Sequence, residues 1–132
     1  RVVRVDKPIY GMAQAARRWQ RDLFAWFESE GFVRCGADSC VFSKSEEING
    51  KTQKLLVGVY VDDLLVLYDD RAQFDKLADD IKRDFDFTVQ SPLEDMCGIE
   101  VTESPGTVTL TLTTSITNLA KKYLSATEMS KA

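Results

Sequence analysis

Two adjacent carboxylates, Asp62 and Asp63, stand between two apolar runs in the middle of the chain. One run extends from Leu55 to Val61 and the other from Leu64 to Tyr68. Both are rich in β-forming residues, so they predict two buried antiparallel strands joined by a two-residue turn at Asp62 and Asp63. Adjacent carboxylates repel each other unless a cation lies nearby, and Mg²⁺ is typically bound by one or two carboxylates together with substrate phosphates. The pair therefore indicates either a metal-binding tip or an exposed acidic turn.

The sequence before this pair predicts a helix followed by a strand. Apolar residues recur at helical spacing between Met12 and Glu30, and Gly31 is suited to end that helix. We expect Trp19 and Trp26 to pack in the core. A strand is predicted at about residues 40–44, and the dipeptide Asn49-Gly50 predicts a hairpin turn that leads into the run from Leu55.

A helix, three strands and a further helix are predicted after the acidic pair. Asp70 and Gln73 have the spacing of a capping box at the start of a helix that runs to about Asp84. Short strands are predicted at residues 85–89, 96–102 and 107–113, the last two joined by a turn at residues 104–106. A helical pattern begins at Thr114. The predicted fold class is α+β, with the order α-β-β-β-α-β-β-β-α.

Length and composition fit one domain or part of one. The chain has 132 residues, 44% of them hydrophobic, which is enough for a core. No apolar run reaches membrane-spanning length and no signal peptide is visible, so we expect an intracellular protein (cytoplasm or nucleus), not secreted and without membrane contact. The chain starts at Arg1 rather than Met, which suggests a fragment of a longer product.

The cysteines argue against zinc. Cys35, Cys40 and Cys97 form no paired motif and the sequence has no His. Their odd number suggests a reduced, intracellular protein. Cys40 and Cys97 stand in apolar contexts, so we expect both to be small core residues.

The overall charge counts against strong autonomous binding of nucleic acid. The net charge is −4 and the sequence pI is about 4.9, whereas nucleic-acid binders are usually basic. Basic residues nevertheless dominate the first 21 positions, with Asp6 as the only acidic one; they are Arg1, Arg4, Lys7, Arg17, Arg18 and Arg21. A phosphate backbone and a solvated helix face explain these charges equally well.

Four sequence segments together resemble one family. Tyr-Val-Asp-Asp at residues 60–63 is similar to the Tyr-X-Asp-Asp box of reverse transcriptases, and its surroundings resemble those of copia-type LTR retrotransposons. Residues 10–19 resemble that family's Leu-Tyr-Gly-Leu-Lys-Gln-Ala-Pro-Arg-X-Trp, with Ala13 in place of Lys and Ala16 in place of Pro. Residues 37–42 resemble its Ala-Asp-Pro-Cys-Leu-Tyr, and residues 96–101 its Phe-Leu-Gly-Ile-Glu-Val.

The resemblance implies a polymerase palm, an antiparallel sheet with helices packed on one face and nucleic acid on the other. It implies nucleotidyl transfer with two Mg²⁺ (or Mn²⁺) ions and, as partners, an RNA or DNA template with its primer, deoxynucleotide triphosphates and the flanking regions of a polyprotein. The implied residues are Asp62 and Asp63 as metal ligands, Tyr10, Gly11, Gln14 and Tyr60 near nucleotide, template and primer end, and Met96, Cys97 and Gly98 as the primer grip.

The resemblance also implies an incomplete enzyme. Residues 1–113 would be a partial palm and residues 114–132 the start of a thumb-like helix. The palm needs a third carboxylate from a strand before Tyr10, and Asp6 is too close to the helix to supply it. We therefore predict that the isolated chain is inactive. Two alternatives stay open: a decayed or domesticated palm-like module that binds nucleic acid or protein without catalysis, and an unrelated α/β domain with an acidic hairpin tip.

Overall fold

The computed structural model describes residues 11, 12 and 14–124, and the chain divides into two compact units, residues 1–86 and 87–132. The helices are α1 (Ala15–Ser29), α2 (Arg71–Asp84) and α3 (Thr113–Tyr123). The strands are β1 (Val33–Arg34), β2 (Val41–Ile48), β3 (Lys51–Tyr60), β4 (Asp63–Tyr68), β5 (Asp95–Met96), β6 (Ile99–Ser104) and β7 (Thr107–Thr111). The predicted α+β class is therefore confirmed.

Both sheets are antiparallel, and the element order differs from the prediction by one additional strand before α2, while one strand after α2 was predicted at the wrong position. The first unit contains a four-stranded sheet in the order β1-β2-β3-β4, and the second a three-stranded sheet in the order β5-β6-β7. Strand β1 was not predicted. The strand predicted at residues 85–89 was wrong, because this segment has no regular structure and Phe85 instead packs edge-to-face against Trp19 and Trp26.

Helix α1 ends where its glycine predicts. Gly31 has φ +84°, a conformation that costs a glycine little because it has no Cβ. The Gly31 N–H donates to the carbonyl of Glu28 (3.1 Å), and the Phe32 N–H donates to that of Phe27 (3.0 Å). These two bonds make a Schellman motif, which turns the chain from α1 toward β1.

The four-stranded sheet buries one face. The register places Phe42, Val57 and Val66 opposite one another on this face, and the first two are fully buried. The rings of Phe24 and Phe27, from α1, pack on Phe42 at centroid distances of 4.9 and 5.0 Å. The side chains of alternate residues, such as Leu56 and Leu67, point to the other face and are exposed.

The helix α2 packs on the same buried face. Leu77 and Ile81 are buried, and the ring of Phe74 stacks on Tyr68 of β4 at 4.8 Å. Asp70 is the N-cap residue, as predicted, but its side chain makes no capping bond. The Gln73 amide donates instead to Glu46 (3.2 Å), so the predicted capping box does not form.

The turns between strands follow their sequence signals. Asn49 and Gly50 connect β2 to β3 with φ of 53° and 74°, the pattern of a type I′ hairpin. Pro105 and Gly106 connect β6 to β7, and Gly106 has φ +75° as a type II turn requires.

The second unit carries α3 on its β6–β7 hairpin. The carboxylate of Glu100 accepts hydrogen bonds from the Thr114 N–H (2.9 Å) and the Thr111 hydroxyl (2.7 Å). Hydrogen bonds from Thr114 and Thr111 lower the pKa of Glu100. This carboxylate lies at the positive end of the helix, where negative charge is stabilising.

None of the helices in the described part of the chain is long and apolar enough to cross a membrane.

Candidate active site at the acidic hairpin

The β3–β4 hairpin places its turn one residue earlier than predicted. Tyr60 pairs with Asp63, so the turn residues are Val61 and Asp62, and Asp63 is the first residue of β4. The predicted turn at Asp62–Asp63 was wrong. That register would set Leu55 opposite Asp70, whereas the observed register pairs Leu55 with Tyr68. The two registers differ by two residues and keep every side chain on the same face, so alternation could not distinguish them.

The turn holds Val61 in a strained backbone conformation. Val61 has φ +55°, and a positive φ in a β-branched residue is an outlier. Asp62 has no positive φ, so the turn has the type II′ pattern, which normally places glycine at its first central position. Strain of this kind tends to occur at functional sites.

Trp19 connects α1 to this turn. Its indole Nε1–H donates to the carbonyl oxygen of Val61 at 3.3 Å. The other side of the indole packs edge-to-face on Phe85, with the ring centroids 5.4 Å apart. Trp19 is half-buried, so its predicted packing role is only part of what it does.

A groove of about 1280 Å³ lies between the start of α1 and the hairpin tip. Most of its lining is apolar, and its charged members are Arg17, Arg18, Asp22 and Asp62. The described residues that line it are Gly11, Met12, Ala15, Ala16, Arg17, Arg18, Trp19, Gln20, Asp22, Cys40, Val59, Tyr60, Val61 and Asp62. A mostly apolar groove with cations and a carboxylate suits a ligand that has both apolar surface and charged groups.

The structure brings some of the predicted nucleotide- and template-binding residues to this groove. Gly11, with φ +89°, and Tyr60 both line it. Gln14 is the exposed N-cap residue of α1 and does not contribute to the lining. Tyr10 lies outside the described residues.

The two arginines of the groove differ in their partners. Arg18 forms an ion pair with Asp22 at 3.9 Å, one helical turn further along α1. The side chain of Arg17 makes no hydrogen bond or ion pair with other described residues. Its guanidinium is therefore available to an anionic ligand, and guanidinium groups bind phosphate bidentately.

The acidic pair has the donor chemistry of a magnesium site. Asp62 and Asp63 are both exposed, and within residues 11, 12 and 14–124 neither side-chain carboxylate accepts a hydrogen bond or pairs with a cation. Carboxylate oxygens are the ligands that Mg²⁺ prefers, with water and substrate phosphates completing its coordination. No group of three His, Cys, Asp or Glu side chains able to hold a metal occurs within the same residues. The pair therefore fits a site that is completed by other ligands.

The predicted primer-grip residues lie together in the second unit. Cys97 and Gly98 form the two-residue turn between β5 and β6, with φ of 55° and 79°, and Met96 pairs with Ile99. The Ser115 hydroxyl, on α3, donates to the Gly98 carbonyl at 3.0 Å. The segment is thus the tip of the β5–β6 hairpin. Cys97 is exposed, so its predicted core role was wrong.

Val61 and Trp19 were not predicted from the sequence to be residues of this site. The signal for Val61 is its position, because pairing Tyr60 with Asp63 leaves a β-branched residue in a two-residue turn. Trp19 carries no such signal. The helical pattern explains it as a packing residue, and only the tertiary structure brings its N–H to the hairpin, 42 residues along the chain.

The sequence of the chain matches one protein family and several curated proteins. A family described as "Reverse transcriptase (RNA-dependent DNA polymerase)" matches residues 1–131. The chain is 29% identical over 100 residues, 76% of its length, to the retrovirus-related Pol polyprotein from transposon TNT 1-94 of Nicotiana tabacum. It is 30% identical over 104 residues, 79% of its length, to that from transposon RE2 of Arabidopsis thaliana.

The chain spans a small part of these relatives, about 7% of the length of each. No solved structure matches the chain.

Proposed function

Because the chain belongs to the reverse transcriptase (RNA-dependent DNA polymerase) family, we propose that it forms part of the palm of a retrotransposon reverse transcriptase. In this proposal Asp62 and Asp63 are the catalytic carboxylates of RNA-directed DNA synthesis. The observation that carries it is the acidic tip, which stands at a groove lined by arginines, on a sheet that helices cover on one face. Helix α3 would begin the thumb, with the boundary at residues 113 and 114.

The roles of the residues follow from their chemistry. Asp62 and Asp63 would bind Mg²⁺ (or Mn²⁺), which when bound supplies activation of the primer hydroxyl and neutralises charge on the transferred phosphates. Arg17 would bind a phosphate of the nucleotide or the nucleic acid. Tyr60, paired with Asp63 across the hairpin, would form the wall beside the primer end.

The nucleic acid would also contact exposed residues at the start of α1 and at the β5–β6 turn. Gly11 leaves open space where a Cβ would stand, so a nucleotide can approach the chain closely there. Gln14 would hydrogen-bond a base or sugar from the start of α1. The turn formed by Met96, Cys97 and Gly98 would hold the primer strand. The proposed partners are thus a primed RNA or DNA template and deoxynucleotide triphosphates, inside the cell (cytoplasm or nucleus).

The isolated chain is proposed to be inactive, and the flanking polyprotein would complete the enzyme. Two observations support this. The described residues provide two carboxylates at the tip rather than a group of three ligands, and the match covers only about 7% of the length of the relatives. Robust DNA synthesis by residues 1–132 alone contradicts this part of the proposal.

Primer extension on an RNA template tests the function. The protein would include the polyprotein regions on both sides, and wild type would be compared with Asp62→Asn. Asp70→Asn is the matched control, because it removes the same charge at an N-cap position, where Asn serves as well as Asp. We expect Asp62→Asn to abolish extension and Asp70→Asn to retain it.

The second candidate function is binding of nucleic acid or protein without catalysis. The departure from the family pattern at Ala13, which replaces a cation, and the net charge of −4 favour it. A folded wild-type protein that binds a primed template but extends no primer would support this candidate and would contradict the polymerase proposal.

A further inference from the structure

The turn that carries Asp62 is held from outside the hairpin. Val61, the other turn residue, has the strained φ of +55°, and its side chain is 66% exposed. Packing of its own side chain therefore contributes little to this conformation. Strained residues persist when the surrounding structure over-determines them, so the restraint must act on the backbone.

The contact that acts on this backbone comes from Trp19. Its indole N–H donates to the Val61 carbonyl, which belongs to the peptide between Val61 and Asp62. Rotation of this peptide would convert the type II′ turn into type I′, in which Asp62 would also take a positive φ. Aspartate tolerates that conformation, so the intrinsic preference of Asp62 does not exclude the rotated turn. The hydrogen bond from Trp19 opposes it.

The position of Trp19 is itself set by the core. Its ring packs on Phe85, whose ring packs on Trp26 at 5.7 Å, and Trp26 packs on the fully buried Phe27 at 5.2 Å. Edge-to-face contacts of this kind fix ring orientation as well as position. A continuous series of aromatic contacts therefore connects the buried core to the Val61 carbonyl.

We infer that Trp19 is a positioning residue for the catalytic tip. Its hydrogen bond holds the Val61–Asp62 peptide in one orientation and thereby orients the Asp62 carboxylate. The inference rests on the proposed function, because it concerns the orientation of the Asp62 carboxylate, whose proposed role is to bind a metal ion. Trp19 acts on the Asp62 carboxylate through the Val61 carbonyl.

The test uses the full-length protein that contains this chain, with Trp19→Phe as the variant. Phenylalanine keeps an aromatic ring on Phe85 but has no N–H to donate. Trp26→Phe is the matched control, because it also removes one indole N–H, the donor to Asp84, from the same aromatic series and away from the tip. Thermal unfolding of both variants measures their structural effect.

Two measurements report on the tip. In steady-state primer extension we expect Trp19→Phe to lower kcat by about 10-fold with little change in KM for the nucleotide, because misplacement of catalytic groups acts on the reacting geometry. Mn²⁺ titrations followed by electron paramagnetic resonance measure metal binding, and the Asp62→Asn variant identifies the part of the binding that belongs to the tip. We expect Trp19→Phe to bind Mn²⁺ at the tip about 5-fold more weakly, which corresponds to the free energy of one net hydrogen bond. Trp26→Phe should change neither.

The outcomes separate this inference from the proposed function. Unchanged kcat and Mn²⁺ affinity in Trp19→Phe, or equal losses in both Trp variants that follow their thermal stability, overturn the inference while the polymerase proposal stands. A wild type that binds Mn²⁺ at Asp62 but extends no primer overturns the polymerase proposal, and weaker Mn²⁺ binding by Trp19→Phe still supports the inference. A wild type without Mn²⁺ binding at Asp62 overturns both.

Discussion

The indole Nε1–H of Trp26 donates a 2.8 Å hydrogen bond to Oδ2 of Asp84, and this bond joins the second half of α1 to the last residue of α2. Arg83 also contacts the same carboxylate, at 3.2 Å. Hydrogen bonds from Arg83, and then from Trp26, lower the pKa of Asp84. The two helices that cover the sheet are thus connected through a carboxylate whose charged form is favoured.

Trp26→Phe should raise the pKa of Asp84 toward its ordinary value, because one of the two donors is lost. A folded pKa below the unfolded one stabilises the protein fully above about pH 3.9, and this contribution is lost as the pH falls through the folded pKa. The stability difference between wild type and Trp26→Phe should therefore shrink in acid. Urea unfolding at pH 7 and in acid measures it, and in an Asp84→Asn background the difference should not vary with pH.

Phe42→Ala should destabilise the first unit by about 3–5 kcal/mol, the usual cost of replacing a buried phenylalanine by alanine. Phe42 is fully buried and contacts Phe24 and Phe27. Val33→Ala, at a neighbouring strand position that is 68% exposed, should change the free energy of unfolding by less than about 0.5 kcal/mol. Urea unfolding followed by tryptophan fluorescence measures both, and equal effects would contradict the assigned core.

Gly50→Ala should cost about 1–2 kcal/mol, because Gly50 has φ +74° and an L-residue is strained there. Gly36 provides the matched control, since it has no positive φ and a Cβ there would meet no neighbour within 4 Å. Gly36→Ala should therefore be close to neutral. The comparison of the two free energies of unfolding isolates the cost of the left-handed backbone from the cost of an added methyl group.

Arg17→Ala should weaken binding of a primed template by the longer protein and reduce the slope of log affinity against log salt concentration by about 1, as expected for one lost phosphate contact. Arg21→Ala is the control, because Arg21 is on the same helix but pairs with Asp22 at 3.1 Å and does not line the groove. Fluorescence anisotropy at several salt concentrations gives both slopes. Equal slopes for the two variants would contradict phosphate binding at Arg17.

The acidic hairpin was predicted from the sequence in part. The apolar runs on either side of Asp62 and Asp63 predicted an antiparallel hairpin, and that hairpin is confirmed. Its register was wrong by two residues, because such a shift leaves the inward and outward pattern unchanged. The observed register pairs Leu55 with Tyr68. The choice between the two registers depends on the residues that pack against these two side chains.

The last helix shows the opposite case. Its apolar stripe was predicted correctly as a helical pattern, yet these residues are exposed; they are Ile116, Leu119, Tyr123 and Leu124. Periodicity identifies the side chains that can be buried together, but burial needs a partner surface. These exposed residues fit a surface on which the rest of the predicted thumb would pack, and that assignment stays a prediction.

The sequence by itself determined the elements whose signals are local: the α1 stop at Gly31, the Asn49-Gly50 turn, the apolar strands and the acidic pair between them. These depend on backbone preference and side-chain alternation, which act over a few residues. Only the tertiary structure decided that Trp19 reaches the Val61 carbonyl, that Arg17 and Asp62 line one groove, and that Val61 takes the strained position. The first two relationships join residues more than 40 positions apart, and packing of α1 against the sheet sets them.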